Sequence, residues 1–336
     1  MRPLPTPCRA VLATALLCLA AVPSLAQDTA DPFEQAKADY IAADGFDARL
    51  AIVRDFLADH PDHERVPEVL RVGRDLYLDE RDDRPAAVAM AEQQLAVSSD
   101  PEVRAGIRDV LLDLYGAPAY AYKLQKLLDE HYDAEAMSFV EHLDVLEAAS
   151  NARAWELVDA HVAAAEPLAS AETFRADYPD REFSDEEVDA SARNREGLLL
   201  TFAGWSRANQ DDRGKALRLY DEADEKLRKG YLGVPGNDLY RYWGETLLME
   251  DETDAGLEKL TLAAIYANDD QAEAILREHW AKHRPGQDYE AFAWSVRQDH
   301  APTMSDFTAT DYQGTEHSFA QLKGDEATLL AFWFPT

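Results

Sequence analysis

The feature that most constrains the fold of this chain is a helical pattern from Asp31 to about Arg297. Apolar side chains recur there at helical spacing, as in Leu50, Val53, Phe56 and Leu57, in Leu111, Leu112 and Tyr115, and in Leu124, Leu127 and Leu128. Short breaks rich in Pro, Gly and Asp interrupt the pattern at residues 60–62, 98–100, 116–118, 209–214 and 233–237. Because helices joined by short turns form antiparallel pairs, the pattern predicts a mainly α fold built from such pairs.

Polar residues mark several of the expected helix starts. Asp31 and Asp100 each stand directly before a proline, which is the order of an N-cap and a first-turn proline. Ser184 and Glu187 have the spacing of a capping box. They predict a long helix that ends at about Arg207.

The region 190–282 repeats itself loosely. Two sets of residues about 40 positions apart have matching spacing: Gly204, Ala216, Tyr220 and Ala223 in the first set, and Gly244, Gly256, Leu260 and Ala263 in the second. This spacing resembles that of tetratricopeptide repeats, in which small residues let two helices approach closely. Neither set is followed by the usual proline, and an ordinary alanine-rich helical bundle is the alternative. We expect residues 27–298 to form a tetratricopeptide-like array.

The first 26 residues have the pattern of a secretory signal. Arg2 and Arg9 supply the positive start, and residues 10–22 form a short apolar core. Ser24 and Ala26 form a small-x-small cleavage pattern. The core is shorter than the roughly 20 apolar residues of a membrane span. The pattern predicts a periplasmic protein, cleaved after Ala26, with no membrane span once the signal is removed.

Cysteine content excludes a disulfide, a thiol nucleophile and a cysteine-based metal site from the predicted mature part of this sequence, and charge argues against nucleic-acid binding. Cys8 and Cys18 are the only cysteines, and both lie in the predicted signal. The chain has 33 Lys and Arg against 65 Asp and Glu, a net charge of −32. A field of this sign repels nucleic acid and favours basic partners. Gly-rich phosphate loops are missing from the sequence, and we predict no cofactor, no metal and no nucleic-acid partner.

After residue 298 the pattern changes from helix to strand. Residues 307–310 and 317–319 alternate as short strands, and Gln313-Gly314 between them predicts a turn and therefore a β-hairpin. The run from Thr328 to Phe334 has the composition of a strand buried on both faces. Pro335 ends that run, since proline cannot donate to the hydrogen-bond ladder.

This segment resembles the start of a redoxin domain, and more narrowly the TlpA-like thiol–disulfide oxidoreductases of the thioredoxin superfamily. The residues that carry the resemblance are Ala301-Pro302, Phe307, Asp311, Gly314, Ser318-Phe319, Leu322-Lys323-Gly324 and Leu329-Leu330-Ala331-Phe332-Trp333. Asp325 stands where a lysine is common, and Phe334-Pro335-Thr336 replaces a more usual Ala-Thr-Trp. The resemblance implies that residues 299–336 are the truncated N-terminal part of a thioredoxin-like domain.

The resemblance also implies where the chemistry would be. The family places a Cys-x-x-Cys two or three residues after the Phe-Trp of this strand, which is immediately after Thr336. Phe332, Trp333, Pro335 and Thr336 would then flank the active site in supporting roles. The expectation is a fragment, inactive by itself, of an exported enzyme that reduces or exchanges disulfides in client proteins. A periplasmic protein-binding scaffold without redox activity is the alternative.

Other candidate residues have simpler interpretations. His279 and His283 are four apart on a predicted helix, a spacing that can bind zinc. Solvated side chains are the simpler interpretation. The acidic segments 79–83 and 211–212 are predicted to be solvated turns between helices. The tryptophans Trp155, Trp205, Trp243, Trp280 and Trp294 are predicted to pack in the core.

Overall fold

A computed structural model describes residues 31–228, 238–267, 269–300, 308–310 and 313–318, with residues 266, 267 and 309 described by their backbone alone. Over this part of the chain fifteen α-helices and one β-hairpin form, so the protein is mainly α, as predicted. The predicted signal (1–26) and the predicted buried strand (328–334) lie outside the described residues.

The first six helices form the N-terminal part of the array. Their bounds are α1 Pro32–Ala42, α2 Phe46–Asp59, α3 Val66–Arg81, α4 Arg84–Val97, α5 Pro101–Leu114 and α6 Ala121–His131. A 3-10 turn at Pro118–Tyr120 precedes α6. From α1 to α5 each helix packs against the next one along the chain. The short connections at 60–65, 82–83 and 98–100 agree with the helix-pair prediction.

Five further helices form the middle of the chain. They are α7 Phe139–Asn151, α8 Trp155–Ala165, α9 Ala171–Asp177, α10 Asp185–Asn209 and α11 Arg213–Arg228. Helices α7 and α8 form one pair, and α10 and α11 form another. The 25-residue helix α10 also packs against α7, α8, α9 and α12, so it connects the two halves of the molecule.

The last helices are α12 Leu239–Met249, α13 Thr253–Leu262, α14 Asp270–His283 and α15 Tyr289–His300, with a π-helical turn at Ala263–Ala267 between α13 and α14. Helix α13 packs against α12, α14 and α15. Two short strands follow, β1 Thr308–Thr310 and β2 Glu316–Ser318.

The predicted helix starts are confirmed. Asp31 accepts a hydrogen bond from the Phe33 amide at 2.9 Å, and Asp100 accepts from the amides of two residues in the first turn of α5. Ser184 and Glu187 form the complete capping box at the start of α10. These contacts satisfy amides that have no partner within the helix.

Two predicted breaks are narrower than expected. Helix α11 begins at Arg213, so the break after Asn209 covers only residues 210–212. Helix α3 continues to Arg81, so only residues 82–83 of the acidic segment 79–83 form a turn. In both places a left-handed residue ends the preceding helix, and an aspartate then begins the next one.

One continuous core runs through most of the described helices. It extends from Leu50 on α2 to Val296 on α15, and a smaller cluster joins α2 and α3. The members of the smaller cluster are Val53, Phe56, Val66, Val69 and Leu70. The apolar residues predicted at helical spacing are buried, except Leu57, which is half-buried. A core of this extent explains how helices with short connections remain packed without disulfides.

The glycines of the repeated region lie where helices approach most closely. A Cβ on Gly204 would stand 2.5 Å from Cε1 of Tyr220, and one on Gly244 would stand 2.8 Å from Cγ of Leu260. Real Cβ atoms do not approach other atoms this closely, so only glycine fits at either position. The predicted role of these small residues in close helix approach is confirmed.

The tryptophan prediction is right for four residues and wrong for one. Trp243 and Trp280 are buried, and Trp155 and Trp205 are half-buried against the core. Trp294 is 56% exposed. Its neighbours on α15, Phe292 and Val296, both face the core. A residue two positions from each of them points to the other side of the helix.

The predicted β-hairpin is confirmed. Strands β1 and β2 are antiparallel, and Thr308 pairs with Ser318 while Thr310 pairs with Glu316. Gly314 in the turn has a φ of +82°, a left-handed conformation that glycine adopts readily. Phe307 and Phe319, which were predicted to extend the two strands, lie outside the described residues.

Candidate functional site

Helices α5 and α7 enclose a cavity of about 230 Å³ whose wall consists mainly of carboxylates. We call it the acidic cleft. It is lined by Asp109, Leu112 and Asp113 of α5, by Tyr132, and by Glu141, Asp144, Glu147, Ala148 and Asn151 of α7. A concave site with several convergent titratable groups is the best candidate functional site in the described part of the chain.

Helical periodicity brings these side chains to one face of each helix. Asp109 and Asp113 are one turn apart on α5. Glu141, Asp144 and Glu147 follow one another at intervals of three on α7. Residues three or four apart are neighbours on a helix surface, so each helix presents a row of like charges. Because α5 packs against α7, the two rows lie across the cleft from each other.

Two of the five carboxylates have hydrogen-bond donors. The Tyr132 hydroxyl donates to Oδ1 of Asp109 at 3.1 Å, and burial together with the Asp109 charge raises the pKa of Tyr132. The backbone amide of Ser138 donates to Oε2 of Glu141 at 2.7 Å, in the capping box that begins α7. Both contacts hold a carboxylate in place and leave its charge intact.

Asp144 and Glu147 form no ion pair within the described residues. Partial burial raises the pKa of Asp144, and the charges of Asp109 and Glu141 raise it further. Burial also raises the pKa of Glu147, with the charges of Asp238, Asp113 and Asp144 adding to the effect. Arg241 acts in the opposite direction on Glu147. The cleft is therefore a site of uncompensated negative charge, which favours a cationic group.

Arg241, the basic group that acts on Glu147, is already held by other carboxylates. Its Nε donates to Oδ2 of Asp269 at 2.8 Å, its Nη2 donates to Asp238, and Nη1 lies 3.8 Å from Oε1 of Glu245. Burial acts to lower the pKa of Arg241, but the charges of Asp238 and Asp269 outweigh burial and raise it. Arg241 therefore stays charged and is not available to neutralise the acidic cleft.

An aromatic stack supports this buried arginine. The Arg241 guanidinium carbon lies 4.6 Å from the centroid of the Tyr242 ring. On α10, Trp205 stacks on the same ring with a centroid distance of 4.5 Å and an interplanar angle of 2°. Cation–π and stacking contacts of this kind stabilise a desolvated guanidinium. The stack connects α10 to α12 beside the cleft.

The histidine pair His279 and His283 does not form a metal site in this structure. The rings are parallel with centroids 5.8 Å apart, and no group of three or more His, Asp or Glu side chains among the described residues is arranged to hold a metal ion. His283 is exposed, as predicted. His279 is half-buried, and burial lowers its pKa.

Sequence reasoning missed two groups of residues, the acidic cleft and a buried pair formed by His142 and His161. The spacing of Glu141, Asp144 and Glu147 already indicated an acidic face on α7. His142 stands at helical spacing with the buried Val145, Leu146 and Ala149, which places it on the apolar face of α7. Neither pattern shows which helix lies opposite, because that depends on tertiary packing.

The residues predicted to flank the active site, Phe332, Trp333, Pro335 and Thr336, lie outside the described residues. In the part of the chain that is described, no helix combines the length and apolar character needed to cross a membrane.

Comparison of the chain with protein families and with curated proteins gave no match to either.

Proposed function

We propose that this chain is part of an exported thiol–disulfide oxidoreductase in which the helices hold a client protein for a thioredoxin-like domain that begins near residue 299. The β-hairpin carries this proposal. Its strands, Thr308–Thr310 and Glu316–Ser318, and its turn at Gly314 occur where a redoxin domain would begin with a hairpin. The helical region ends just before them, at His300.

The helical region is proposed to be tetratricopeptide-like in α10 to α13. The support is the equivalent packing of two helix pairs, α10 with α11 and α12 with α13. In each pair a glycine of the first helix, Gly204 or Gly244, lies against a large side chain of the second helix. Arrays of this kind bind extended polypeptides along their surface.

The redox chemistry would belong to a Cys-x-x-Cys that the resemblance places directly after Thr336. A cysteine at a helix N-terminus has a lowered pKa because unpaired amides and the helix dipole stabilise its thiolate. The thiolate attacks a client disulfide to form a mixed disulfide, and the second cysteine then releases the reduced client. Phe332, Trp333, Pro335 and Thr336 would position this site.

The acidic cleft gives the proposed client a chemical class. Asp144 and Glu147 have no basic partner among the described residues, and the whole chain carries a net charge of −32. A client with basic segments would be attracted by the field of the protein and would neutralise the cleft on binding.

The alternative is a periplasmic protein-binding scaffold without redox activity. It is favoured by the cysteine content of the printed sequence, in which Cys8 and Cys18 both belong to the predicted signal. The same helices would hold a partner, and the thioredoxin-like domain would be only structural.

The coding sequence beyond Thr336 and the complete gene product distinguish the two functions. We expect a Cys-x-x-Cys within a few codons, two titratable thiols in the reduced product, and reduction of insulin disulfides with dithiothreitol as electron source. Replacement of the first of these cysteines by serine should abolish that activity. A complete product without the cysteines and without activity would contradict the oxidoreductase and support the scaffold function. N-terminal sequencing of the exported product should begin at Gln27.

A second experiment tests the cleft separately from the redox chemistry. The double substitution Asp144→Asn and Glu147→Gln should slow reduction of a basic disulfide protein such as lysozyme and leave reduction of insulin unchanged. The double substitution Asp221→Asn and Glu222→Gln, which removes two exposed charges on α11, is the matched control and should change neither rate. If both variants slowed lysozyme reduction equally, the net charge of the protein and not the cleft would determine the rate.

A further inference from the structure

Two histidines form a buried hydrogen-bonded pair between α7 and α8. Nδ1 of His142 lies 2.9 Å from Nδ1 of His161, and the ring centroids are 5.1 Å apart. The side chain of His142 is fully buried, and His161 is 7% exposed. The contact joins the two helices of the α7–α8 hairpin.

The contact depends on the protonation of both rings. One Nδ1 must carry a hydrogen and the other must be bare, since a hydrogen bond needs one donor and one acceptor. When both rings are charged, each Nδ1 carries a hydrogen, so the bond is lost and two cations face each other. The Nε2 atom of His142 is buried and has no hydrogen bond of good geometry within the described residues, so a charge on that ring would be poorly solvated.

Charged groups around the pair are engaged elsewhere. The Ala134 backbone and the Glu141 charge favour a charge on His142, but burial outweighs both of them. Burial and the nearby His142 both disfavour a charge on His161. The charged groups that the neighbouring helices present are paired: Asp109 of α5 with Tyr132, Lys123 of α6 with Glu92, Asp159 of α8 with Arg207 of α10, and Arg195 of α10 with Asp177. A proton taken up by the pair therefore finds no buried carboxylate as a counter-ion within the described residues.

We propose that the His142–His161 pair is an acid-sensitive latch that holds α7 against α8 when both imidazoles are neutral and releases it when the pair takes up protons. Helix α7 also supplies Glu141, Asp144 and Glu147 to the acidic cleft. Movement of α7 after release would therefore displace one wall of the cleft in acid. The latch concerns the helical region alone and does not depend on the proposed redox activity.

The direction of the pH effect follows from burial. Burial lowers the pKa of His161 to about 4, with the nearby His142 adding to the effect, and burial also lowers the pKa of His142. The released or unfolded histidine has an ordinary pKa of about 6.5 and binds protons first. The latch is at full strength above pH 6.5, and it weakens progressively as the pH falls towards 4.

The test is the pH dependence of unfolding for the whole chain and two variants. Asparagine at positions 142 and 161 keeps an amide near each Nδ1 position and does not titrate. Between pH 7 and pH 4.5 the unfolding equilibrium constant of the wild type should rise about 50-fold more than that of the double variant H142N/H161N. His283→Asn removes an exposed histidine and should behave as the wild type does.

Two measurements on the wild type alone keep the proposal testable if the double variant does not fold. The imidazole resonance of His161 should titrate near pH 4, and that of His142 should titrate below its ordinary value. Hydrogen exchange of α7 amides should accelerate in acid before that of α10 to α13. An ordinary titration near pH 6.5, or uniform exchange across the helices, would overturn the latch. Equal pH dependence of the wild type and the double variant would overturn it as well.

Discussion

The ring of Tyr220 on α11 lies directly against the Cα atom of Gly204 on α10, leaving no room for a side chain at residue 204. Tyr220 is completely buried, and its hydroxyl lies 3.3 Å from Oγ1 of Thr246 on α12. The Thr246 hydroxyl donates to the carbonyl of Tyr242, so the Tyr220 hydroxyl is the donor in their contact. One glycine therefore allows a tyrosine to connect three helices.

We expect Gly204→Ala to destabilise the protein by about 1–3 kcal/mol, because the added Cβ must displace a ring that is packed on all sides. Urea unfolding measures the change. The matched control is Gly106→Ala on α5, where a Cβ meets no atom within 4 Å. That variant should be more stable by about 1 kcal/mol, since alanine is the better helix former. Equal changes in both variants would contradict the close approach at Gly204.

We expect Arg241→Met to cost about 3–5 kcal/mol of stability, because it leaves Asp238 and Asp269 as partly buried charges without a partner. It also removes the cation from the face of Tyr242. The control is Arg71→Met on α3, where the arginine is 47% exposed and lies 3.8 Å from Asp75. A solvent-screened pair of this kind is worth less than about 1 kcal/mol. Urea unfolding of both variants should separate them clearly.

We expect Glu147→Gln to stabilise the protein at pH 7 by roughly 0.5 kcal/mol, the scale of a solvent-screened charge interaction. Burial, and then the charges of neighbouring carboxylates, raise the pKa of Glu147 in the folded state, so at pH 7 its ionised form is less favourable in the folded than in the unfolded chain. As the pH falls through that raised pKa the wild type takes up a proton, and the gain should disappear below the ordinary value of 4.5. High salt should also reduce it.

The control for this pH effect is Glu222→Gln, which should change thermal stability little at either pH. A gain from Glu147→Gln that persisted at pH 4 would contradict the ionised carboxylate as its cause. A loss of stability at pH 7 would show that Glu147 has a cationic partner in solution.

We expect Ser184→Ala to cost about 1 kcal/mol, because the serine hydroxyl accepts a hydrogen bond from the Glu187 amide at the start of α10. Ser184→Asp supplies another acceptor at the same place and should retain most of the stability. Thermal unfolding followed by circular dichroism measures both. If the two variants lost stability equally, the hydroxyl would not be acting as a cap.

Much of the fold could be predicted from local patterns. The N-caps at Asp31, Asp100 and Ser184 depend on contacts within one helical turn, and each was predicted from neighbouring residues. The turn at Gly314 and its two short strands were predicted for the same reason. Helix ends were less accurate, as at Arg213, because one turn more or less of helix costs little free energy.

The candidate site could not be predicted to the same extent. The acidic face of α7 is visible in the spacing of Glu141, Asp144 and Glu147, but the residues opposite it come from α5, some 30 positions earlier. Trp294 shows the same limit, since its residue type favours burial and its place on α15 exposes it. In both cases the outcome depends on which helix face meets another helix.

The sequence by itself determined that the described chain is mainly α and where most helices begin. It also determined that small residues let α10 approach α11 and α12 approach α13, and that a hairpin follows the helices. These features follow from periodicity, capping and turn geometry, which act over a few residues. Only the tertiary structure brought Asp109 opposite Asp144, His142 to His161 and Arg241 to Asp269. These contacts join residues from different helical turns of the chain, because burial of a shared apolar core decides which helix faces meet.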